Sequence, residues 1–453
     1  MSQKWNHLKG LQFPQVGMNK KVDMLIGLDY PNLHSALYEV HGNVGEPIAR
    51  LTPLGWTCVG NIDKDTHTSL FSTYFVNQTS KLDELTKEFW AMDSYGTKKH
   101  EKDLTPVETR VLRQTTESIT CENNHYEVGI PWKESKNEIP NNYEMAEKRL
   151  QKLNSKLKKS PDVETAYSET IDNYIEKGYL RKVPIEEEKP ENRWYLPHFP
   201  VVKPDRETTK VRIVFDAAAK YKGVCLNDFI HTGPKLQNEL FDVLLRFRKN
   251  EVAVVCDISE MYLRVGIHET DRRFHRLLWD ESEYEFNTLV FGVNASPFLA
   301  QLVAQTNAKQ HRNDYPMAAE TVLYCTYMDD SMESVNTETQ GIELYHQLSE
   351  LWLKAGMCAR KWLSNSRTVL EHIPERDRAS KVNLDTSYLP TTKALGVTWI
   401  AENDLFTFTT NEKDSTLNTV TKRNLLKREA SLFDPHRFIS PYIVRGKMLL
   451  QQC

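Results

Sequence analysis

Two adjacent aspartates, Asp329 and Asp330, interrupt a run of apolar and β-branched residues that reads LYCTYMDDSMESV from 323 to 335. The pattern predicts two strands, TVLYCTY and SMESV, joined by a turn at MDD. Neighbouring carboxylates repel each other and resist desolvation, so water or a cation must compensate them. Taken alone, the stretch is compatible with a metal-binding turn, but an exposed hairpin turn is the commoner case.

A third carboxylate, Asp257, closes the apolar run EVAVVCDIS, in which Val252, Val254 and Val255 predict a buried strand. If this strand lies beside the MDD hairpin, three carboxylates meet at one edge of a sheet. Such a cluster favours hard divalent cations, which prefer oxygen ligands. Two ions about 3.5–4 Å apart can activate an attacking hydroxyl and stabilise a leaving phosphate oxygen.

The surrounding sequence predicts an α+β fold with an antiparallel sheet. FPVVKP and KVRIVFDA are predicted strands, and NELFDVLLRFRKN and SPFLAQLVAQTNAKQ are predicted helices. Two further helices precede them, YEMAEKRLQKLNSKLKK and PDVETAYSETIDNYIEKG. The basic face of the first either contacts a phosphate backbone or is simply solvated.

Charge and cysteine content narrow the classes of protein. The net charge of −4 gives no general attraction to nucleic acid or anionic membranes, so any such binding requires a local basic patch. No apolar run approaches the roughly 20 residues of a membrane span, and the polar start predicts an intracellular protein. The seven dispersed cysteines contain no CxxC pair, which favours reduced thiols.

Eight blocks occur in order along the chain: RWYLPHFPVVKP, KVRIVFDAAAK, LNDFIHTGPKL, CDISEMYLRV, FGVNASPFLA, YMDD, RKWLSN and LGVTW. Together they resemble the reverse transcriptase of Pao/BEL-type LTR retrotransposons. The resemblance implies an RNA-directed DNA polymerase with a right-hand architecture of fingers, palm and partial thumb around an antiparallel palm sheet. It also implies two Mg²⁺ (or Mn²⁺) ions, an RNA or DNA template with a primer, dNTPs and other retroelement polyprotein products as partners. Membranes are not among the expected partners.

The resemblance assigns roles residue by residue. Asp257 and Asp329 would be the principal metal ligands, and Asp330 the third carboxylate. Tyr262 would lie beneath the sugar and reject a ribose 2′-OH, unless it is a core tyrosine. Nucleotide-binding roles fall on Lys203 and Arg212 for the triphosphate, on the backbone amides of Asp216, Ala217 and Ala218, and on Phe291 and Gly292. A surface arginine and a turn glycine are the simpler interpretations of Arg212 and Gly292.

Primer and template contacts are implied for Tyr327 and Met328 at the hairpin tip, and for Leu395 and Gly396 in LGVTW, which resembles the primer grip. Lys361 and Asn365 in RKWLSN resemble the loop after the catalytic hairpin.

The resemblance also divides the chain. VDMLIGLDY (22–30) is a predicted strand and GEPIARLTPLGWTCVG (45–60) a predicted strand-turn pattern. Residues 1–62, which contain both, resemble a truncated retroelement aspartic protease. No D-T-G or D-S-G triplet occurs, so this remnant is expected to be inactive, with Asp29 a structural hairpin residue. Residues 63–141 are predicted to be a connector that contains the helical piece LDELTKEFWAM.

Fingers and palm are expected over 142–400, and a truncated start of the thumb and connection over 401–453. Such a protein is expected in the cytoplasm and in virus-like particles, with access to the nucleus. The alternatives are a catalytically silent nucleic-acid-binding remnant and, disfavoured by the missing triplet, an active aspartic protease.

Overall fold

The computed structural model describes residues 5–13, 30–43, 45–60, 104–184, 191–202, 211–385, 388–408 and 421–452. Asp29, Lys203, most of the predicted strand 22–30 and the predicted helical piece 82–92 lie outside these residues. The chain divides into two compact units, Met1–Asp103 and Leu104–Cys453.

The first unit contains a small antiparallel sheet of order β1-β2-β3. Its elements are helix α1 (Pro31–His34) and strands β1 (Tyr38–Val40), β2 (Ile48–Thr52) and β3 (Gly55–Val59), after a 3-10 turn at Asn6–Leu8. Trp5, Leu8 and Ala49 are buried together. The β2–β3 hairpin confirms the strand-turn-strand predicted for GEPIARLTPLGWTCVG.

The second unit mixes helices and strands around one large apolar core. Its helices are α2 (Pro106–Glu117), α3 (Tyr143–Leu157), α4 (Pro161–Glu176), α5 (Leu240–Phe247), α6 (Glu269–Arg272), α7 (Ser296–Gln310), α8 (Pro316–Tyr324), α9 (Glu338–Leu353), α10 (Arg367–Glu371), α11 (Lys422–Ser431) and α12 (Ser440–Gln452). Its 3-10 helices are Glu134–Glu138, Leu226–Phe229, Met261–Arg264 and Glu375–Asp377.

The strands of this unit form short sheets. They are β4 (Thr120–Glu122), β5 (His125–Val128), β6 (Leu180–Lys182), β7 (His198–Val202), β8 (Val211–Phe215), β9 (Val252–Ser259), β10 (Gly266–Ile267), β11 (Arg276–Trp279), β12 (Ser282–Phe286), β13 (Thr326–Tyr327), β14 (Asp330–Val335), β15 (Cys358–Ser364), β16 (Thr391–Ala394), β17 (Val397–Ile400) and β18 (Leu405–Thr407). Their orders are β10-β5-β4, β11-β12-β6, β7-β8, β13-β14-β9-β15 and β16-β17-β18.

The four-stranded sheet β13-β14-β9-β15 is antiparallel throughout. Its central strand β9 carries the predicted apolar run, and Ala253, Val254, Cys256 and Ile258 are buried. Helices α5, α8 and α9 pack against this sheet. A strand covered by such packing needs a near-continuous apolar sequence, which explains why EVAVVCDIS was recognisable.

Residues 104–141 belong to the second compact unit, although the sequence suggested a connector as far as 141. Val111 on α2 and Tyr126 and Val128 on β5 are buried in its core. Strand β5 also pairs in parallel with β10. The alternating pattern of this short strand is too brief to be distinguished from a polar linker in the sequence.

The prediction of a strand over TVLYCTY is wrong for most of its length, because TVLY forms the end of helix α8. Pro316 begins this helix, and Ala318, Ala319 and Val322 are buried. Helix α8 packs on α7 and α9. Tertiary packing has therefore overridden the strand preference of Thr, Val and Tyr.

The expectation of a loop at RKWLSN is also wrong, since Arg360–Ser364 forms part of β15, which pairs with β9. The pairing register shifts between Arg360 and Leu363, and Lys361 has a positive φ of 55°. This irregularity resembles a β-bulge, which re-aims side chains within a strand.

Among the described residues, no helix has the length and apolar character to cross a bilayer. In the part of the chain that the structure describes, the cysteines at 58, 121, 225, 256, 325 and 358 are free thiols.

Candidate active site

The three aspartates lie at the same end of neighbouring strands. Asp257 on β9 and Asp330 on β14 are direct partners in the antiparallel register. Tyr327 pairs with Asp330, so Met328 and Asp329 form a two-residue turn. The Asp329 carbonyl accepts a 2.7 Å hydrogen bond from the Ile258 amide, which ties the turn to β9. The structure therefore places Asp257 beside Asp330 on paired strands and Asp329 on the adjoining turn, with Asp330 opening strand β14.

Burial and repulsion between neighbouring carboxylates disfavour the charged forms of Asp329 and Asp330. Burial raises the pKa of Asp330, and the charges of Asp329 and then Asp257 raise it further, to about 7. Burial also raises the pKa of Asp329, with Asp257 adding to the rise. A hydrogen bond from its own amide, and then Lys361 and Arg212, oppose that rise. The site consequently favours any cation that approaches it.

Lys361 places a positive charge beside Asp257. Its ammonium forms an ion pair with the Asp257 carboxylate from the neighbouring strand β15. Within the described part of the chain, no three His, Cys, Asp or Glu side chains are grouped closely enough to hold a metal ion. The oxygen atoms of the three carboxylates are nevertheless the kind of ligand that hard divalent cations prefer, and the Lys361 ammonium already occupies a cation position at Asp257.

Tyr262 and Phe291 lie beside the carboxylates. Tyr262 is 8% exposed and its ring centroid lies 4.5 Å from that of Phe291, which is 54% exposed. Burial raises the pKa of Tyr262 to about 12, and the charge of Asp329 contributes to the rise. Tyr262 is thus a buried ring near Asp329, and it packs against the exposed ring of Phe291.

The backbone of β8 passes so close to residue 292 that a side chain larger than that of glycine would overlap it. The φ of Gly292 is +105°, and a Cβ built there would lie 2.0 Å from the Phe215 carbonyl oxygen. The close contact seen at Gly292 is therefore with Phe215, and the expected approach of Gly292 to a nucleotide stays a prediction. The turn at Phe291 and Gly292 is thereby seated on the end of β8.

We expect Gly292→Ala to lower the free energy of unfolding by about 1–3 kcal/mol, because it adds steric overlap to a strained φ. Urea unfolding measures this change. The matched control is Gly178→Ala: Gly178 also has a positive φ, +72°, but no atom lies within 4 Å of its Cβ position. Equal losses in the two variants would show that the Phe215 contact is unimportant.

The residues predicted to bind phosphates are only partly available. Arg212 is exposed on β8, and its positive charge acts to lower the pKa of Asp329. Asp216 accepts a 2.8 Å hydrogen bond from Arg149, and its amide donates to the Pro197 carbonyl at 2.7 Å. In this conformation the Asp216 amide is therefore not open to a phosphate. Ala217 is buried and Ala218 is exposed.

The predicted primer-side residues fall into two groups. Leu395 and Gly396 form the turn between β16 and β17, both with positive φ. A pocket of about 280 Å³ connects this hairpin with the carboxylates, and Leu395, Lys361 and Asp330 line it. Asn365, in contrast, bonds to Ala253 and Glu251, at the far end of β9 from Asp257.

Sequence reasoning missed the side chains that hold the hairpin. Gln301 on α7 donates to the Met328 carbonyl, and Asn238 donates to the Thr326 carbonyl, each at 2.9 Å. The sequence signal was a glutamine within the largely apolar stretch SPFLAQLVA, since a buried amide in such a helix needs a hydrogen-bond partner.

Without bound cations, we expect Asp330→Asn to raise the free energy of unfolding at pH 8. The folded-state pKa of about 7 exceeds the ordinary value of 3.8, so the folded chain binds more protons between these values. The contribution of Asp330 to stability must therefore fall as the pH rises from about 4 to 7. The gain should be about 1–3 kcal/mol at pH 8 and vanish near pH 4.

Urea unfolding in EDTA across this pH range tests the prediction. Asp172→Asn, on an exposed position of α4, is the control and should show no such trend. A stability difference for Asp330→Asn that is independent of pH would contradict the prediction.

Two segments of the chain match known families. Residues 212–361 match "Reverse transcriptase (RNA-dependent DNA polymerase)". This segment contains Asp257, Asp329 and Asp330 and matches the reverse transcriptase family over its length. Residues 421–453 match "Pao retrotransposon-like RNaseH-like domain". Together the two matches support a Pao-type retrotransposon polyprotein with a reverse transcriptase domain, the resemblance that the eight blocks indicated.

Solved structures of foamy viral protease-reverse transcriptase are similar to this chain at low identity. The form named dRH in complex with ds DNA is 14% identical, with a TM-score of 0.43, covering 77% of this chain and 56% of that one. The complex with RNA/DNA hybrid is 13% identical, with a TM-score of 0.41, covering 77% and 43%. The native prototype foamy virus enzyme is 17% identical, with a TM-score of 0.35, covering 45% and 24%.

This chain therefore spans between about a quarter and just over half of those structures. No curated protein sequence matched significantly. The reverse transcriptase family generally uses divalent metal ions.

Proposed function

We propose that this chain catalyses RNA-templated DNA synthesis by adding nucleotides to a primer 3′-OH. The observation that carries the proposal is the direct pairing of Asp257 with Asp330 on adjacent strands, with Asp329 on the intervening turn. The match of residues 212–361 to reverse transcriptases supports it. A catalytically silent remnant is not favoured, because the chain carries all three carboxylates.

Asp257, Asp329 and Asp330 would hold the divalent cations, Mg²⁺ or Mn²⁺, two in number. When bound, such ions promote attack by the 3′-OH on the α-phosphate and stabilise the departing pyrophosphate. The protein's own part is to present the carboxylates at one strand end and to keep them poorly hydrated. Lys361, which is paired with Asp257, would have to release that carboxylate before it could bind a cation.

The incoming dNTP would lie between Arg212 and the Tyr262–Phe291 pair. The Arg212 guanidinium is suited to the triphosphate because its planar donors match phosphate oxygens. Lys203 and the amides of Ala217 and Ala218 would add further contacts. The buried Tyr262 ring would contact the sugar and Phe291 the base, with Gly292 shaping the turn.

The primer end would lie at the pocket between the carboxylates and the β16–β17 turn. Tyr327 and Met328 at the hairpin tip, Lys361 and the Leu395–Gly396 turn border the proposed path. Contacts there should be to phosphates and sugars, since a polymerase must accept every template sequence. Template RNA or DNA with a primer, dNTPs and other polyprotein products are the proposed partners.

On this proposal the sheet β13-β14-β9-β15 is the palm, within fingers and palm over 142–400. Residues 401–453 would begin the thumb and connection. Residues 1–62 would be an inactive retropepsin-like remnant, supported by the β2–β3 hairpin and the missing catalytic triplet.

Primer extension tests the proposal. The purified full chain is given a primer annealed to an RNA template, dNTPs and Mg²⁺ or Mn²⁺, and extension by successive nucleotides is expected. If a folded chain binds the primer–template and extends nothing, the proposed function is wrong.

A further inference from the structure

We infer that Asn238 and Gln301 form an amide brace that positions the turn bearing Asp329 and Asp330 for cation binding. Asn238 donates from Nδ2 to the Thr326 carbonyl, and Gln301 donates from Nε2 to the Met328 carbonyl, both at 2.9 Å. The inference rests on the proposed function, in which these carboxylates hold the metal ions. Both amides act through the turn and are positioning residues.

The turn needs external support because its own sequence is unsuitable. Two-residue hairpin turns favour Asn-Gly or Asp-Gly, whose residues tolerate a positive φ. Here the turn residues are Met328 and Asp329, and Met328 has a φ of +57°. A non-glycine side chain is sterically strained in this conformation, and the neighbouring carboxylates repel each other as well. Both effects favour opening of the turn.

The brace approaches the turn from two separate elements. Gln301 lies on α7 and is only 4% exposed, so an unpaired amide there would be costly. Asn238 lies just before α5. Between them, Gln305 on α7 donates to the Leu236 carbonyl at 3.0 Å, which ties the segment before α5 to that helix. The turn is therefore held at Thr326 and Met328 by groups that are themselves fixed.

A bond to the other end of the same hairpin provides a matched control. Asn250, just after α5, donates from Nδ2 to the Ser334 carbonyl at 2.7 Å. It makes the same kind of bond as Asn238, but near the opposite end of β14 from the carboxylates. Loss of either bond should cost similar stability, whereas only the Asn238 bond should affect cation binding.

The experiment measures Mn²⁺ binding to the full chain without nucleic acid, by the EPR signal of free Mn²⁺. Gln301→Met and Asn238→Ala are expected to weaken Mn²⁺ binding by about 10–100-fold, as is common when groups that orient metal ligands are removed. Asn250→Ala should stay within about twofold of wild type. Circular dichroism and thermal unfolding establish that each variant is folded. If Gln301→Met does not fold, the half-buried Asn238 carries the test.

Primer extension gives a second readout. In the brace variants, the Mg²⁺ concentration for half-maximal extension should rise about tenfold or more, and saturating Mg²⁺ should restore part of the rate. A merely structural role would instead lower the rate equally at all Mg²⁺ concentrations.

The inference is overturned if folded Gln301→Met and Asn238→Ala bind Mn²⁺ as tightly as Asn250→Ala, or if the wild-type chain binds no Mn²⁺. A wild-type chain that shows the predicted Mn²⁺ pattern without extending a primer would support the brace while refuting the proposed polymerase. Normal extension with unaltered metal dependence in the variants would refute the brace alone.

Discussion

Asp329→Asn is expected to reduce the rate of nucleotide incorporation by about 10³-fold or more, the scale of losing an essential catalytic group. Five neighbouring groups respond to the Asp329 charge or act on it: Asp257, Asp330, Tyr262, Lys361 and Arg212. The amide keeps the shape of the side chain and removes its charge, so it cannot neutralise a divalent cation. Single-nucleotide primer extension under saturating dNTP measures the loss.

The binding of primer–template should survive this substitution, because contacts to the phosphates come from other residues. Fluorescence anisotropy with a labelled primer–template should give a dissociation constant within about threefold of wild type. Asp172→Asn on α4 serves as the surface control and should leave the rate unchanged. If Asp329→Asn retained a tenth of the wild-type rate, the carboxylate would not have the proposed role.

Tyr262→Ala is expected to raise the incorporation of ribonucleotides relative to deoxyribonucleotides by about 10–200-fold. The ring is nearly buried, packs on Phe291 and lies near Asp329, so its removal opens space beside the proposed sugar position. Steric discrimination of a small group in a pocket is typically worth about 1–3 kcal/mol, which sets this range. The ratio of kcat/KM for a dNTP and the matching rNTP measures the effect.

Tyr262→Phe is the matched variant, since it keeps the ring and removes only the hydroxyl. It should discriminate between the sugars as the wild type does. If the alanine variant also kept the wild-type ratio while remaining folded, Tyr262 would be a core tyrosine and no gate, which was the simpler interpretation of its sequence.

Local patterns located much of the fold. The apolar run before Asp257, the helix beginning at Ser296 and the paired strands around residues 200 and 213 all have the predicted type. These predictions succeeded because alternation, Pro at a helix start and apolar runs act over a few residues. They failed at TVLY, where packing of α8 against α7 and α9 outweighed strand preference.

The candidate site was harder to anticipate than its carboxylates. Lys361 reaches Asp257 only because β15 is irregular at that point and pairs with β9. Asn238 and Gln301 reach the turn only because α5 and α7 pack around it. No regular residue spacing in the sequence indicates these contacts, because each of them joins segments that are distant along the chain.

The sequence by itself determined the chemical groups and the kind of protein: three strand-borne aspartates, an aromatic residue after the first, and eight ordered blocks typical of one retroelement family. Only the tertiary structure decided that Asp257 faces Asp330, that burial raises the pKa of Asp330 and that two amides hold the turn. Strand register and desolvation depend on the whole set of packed elements, and a residue's identity alone does not specify its neighbours across a sheet.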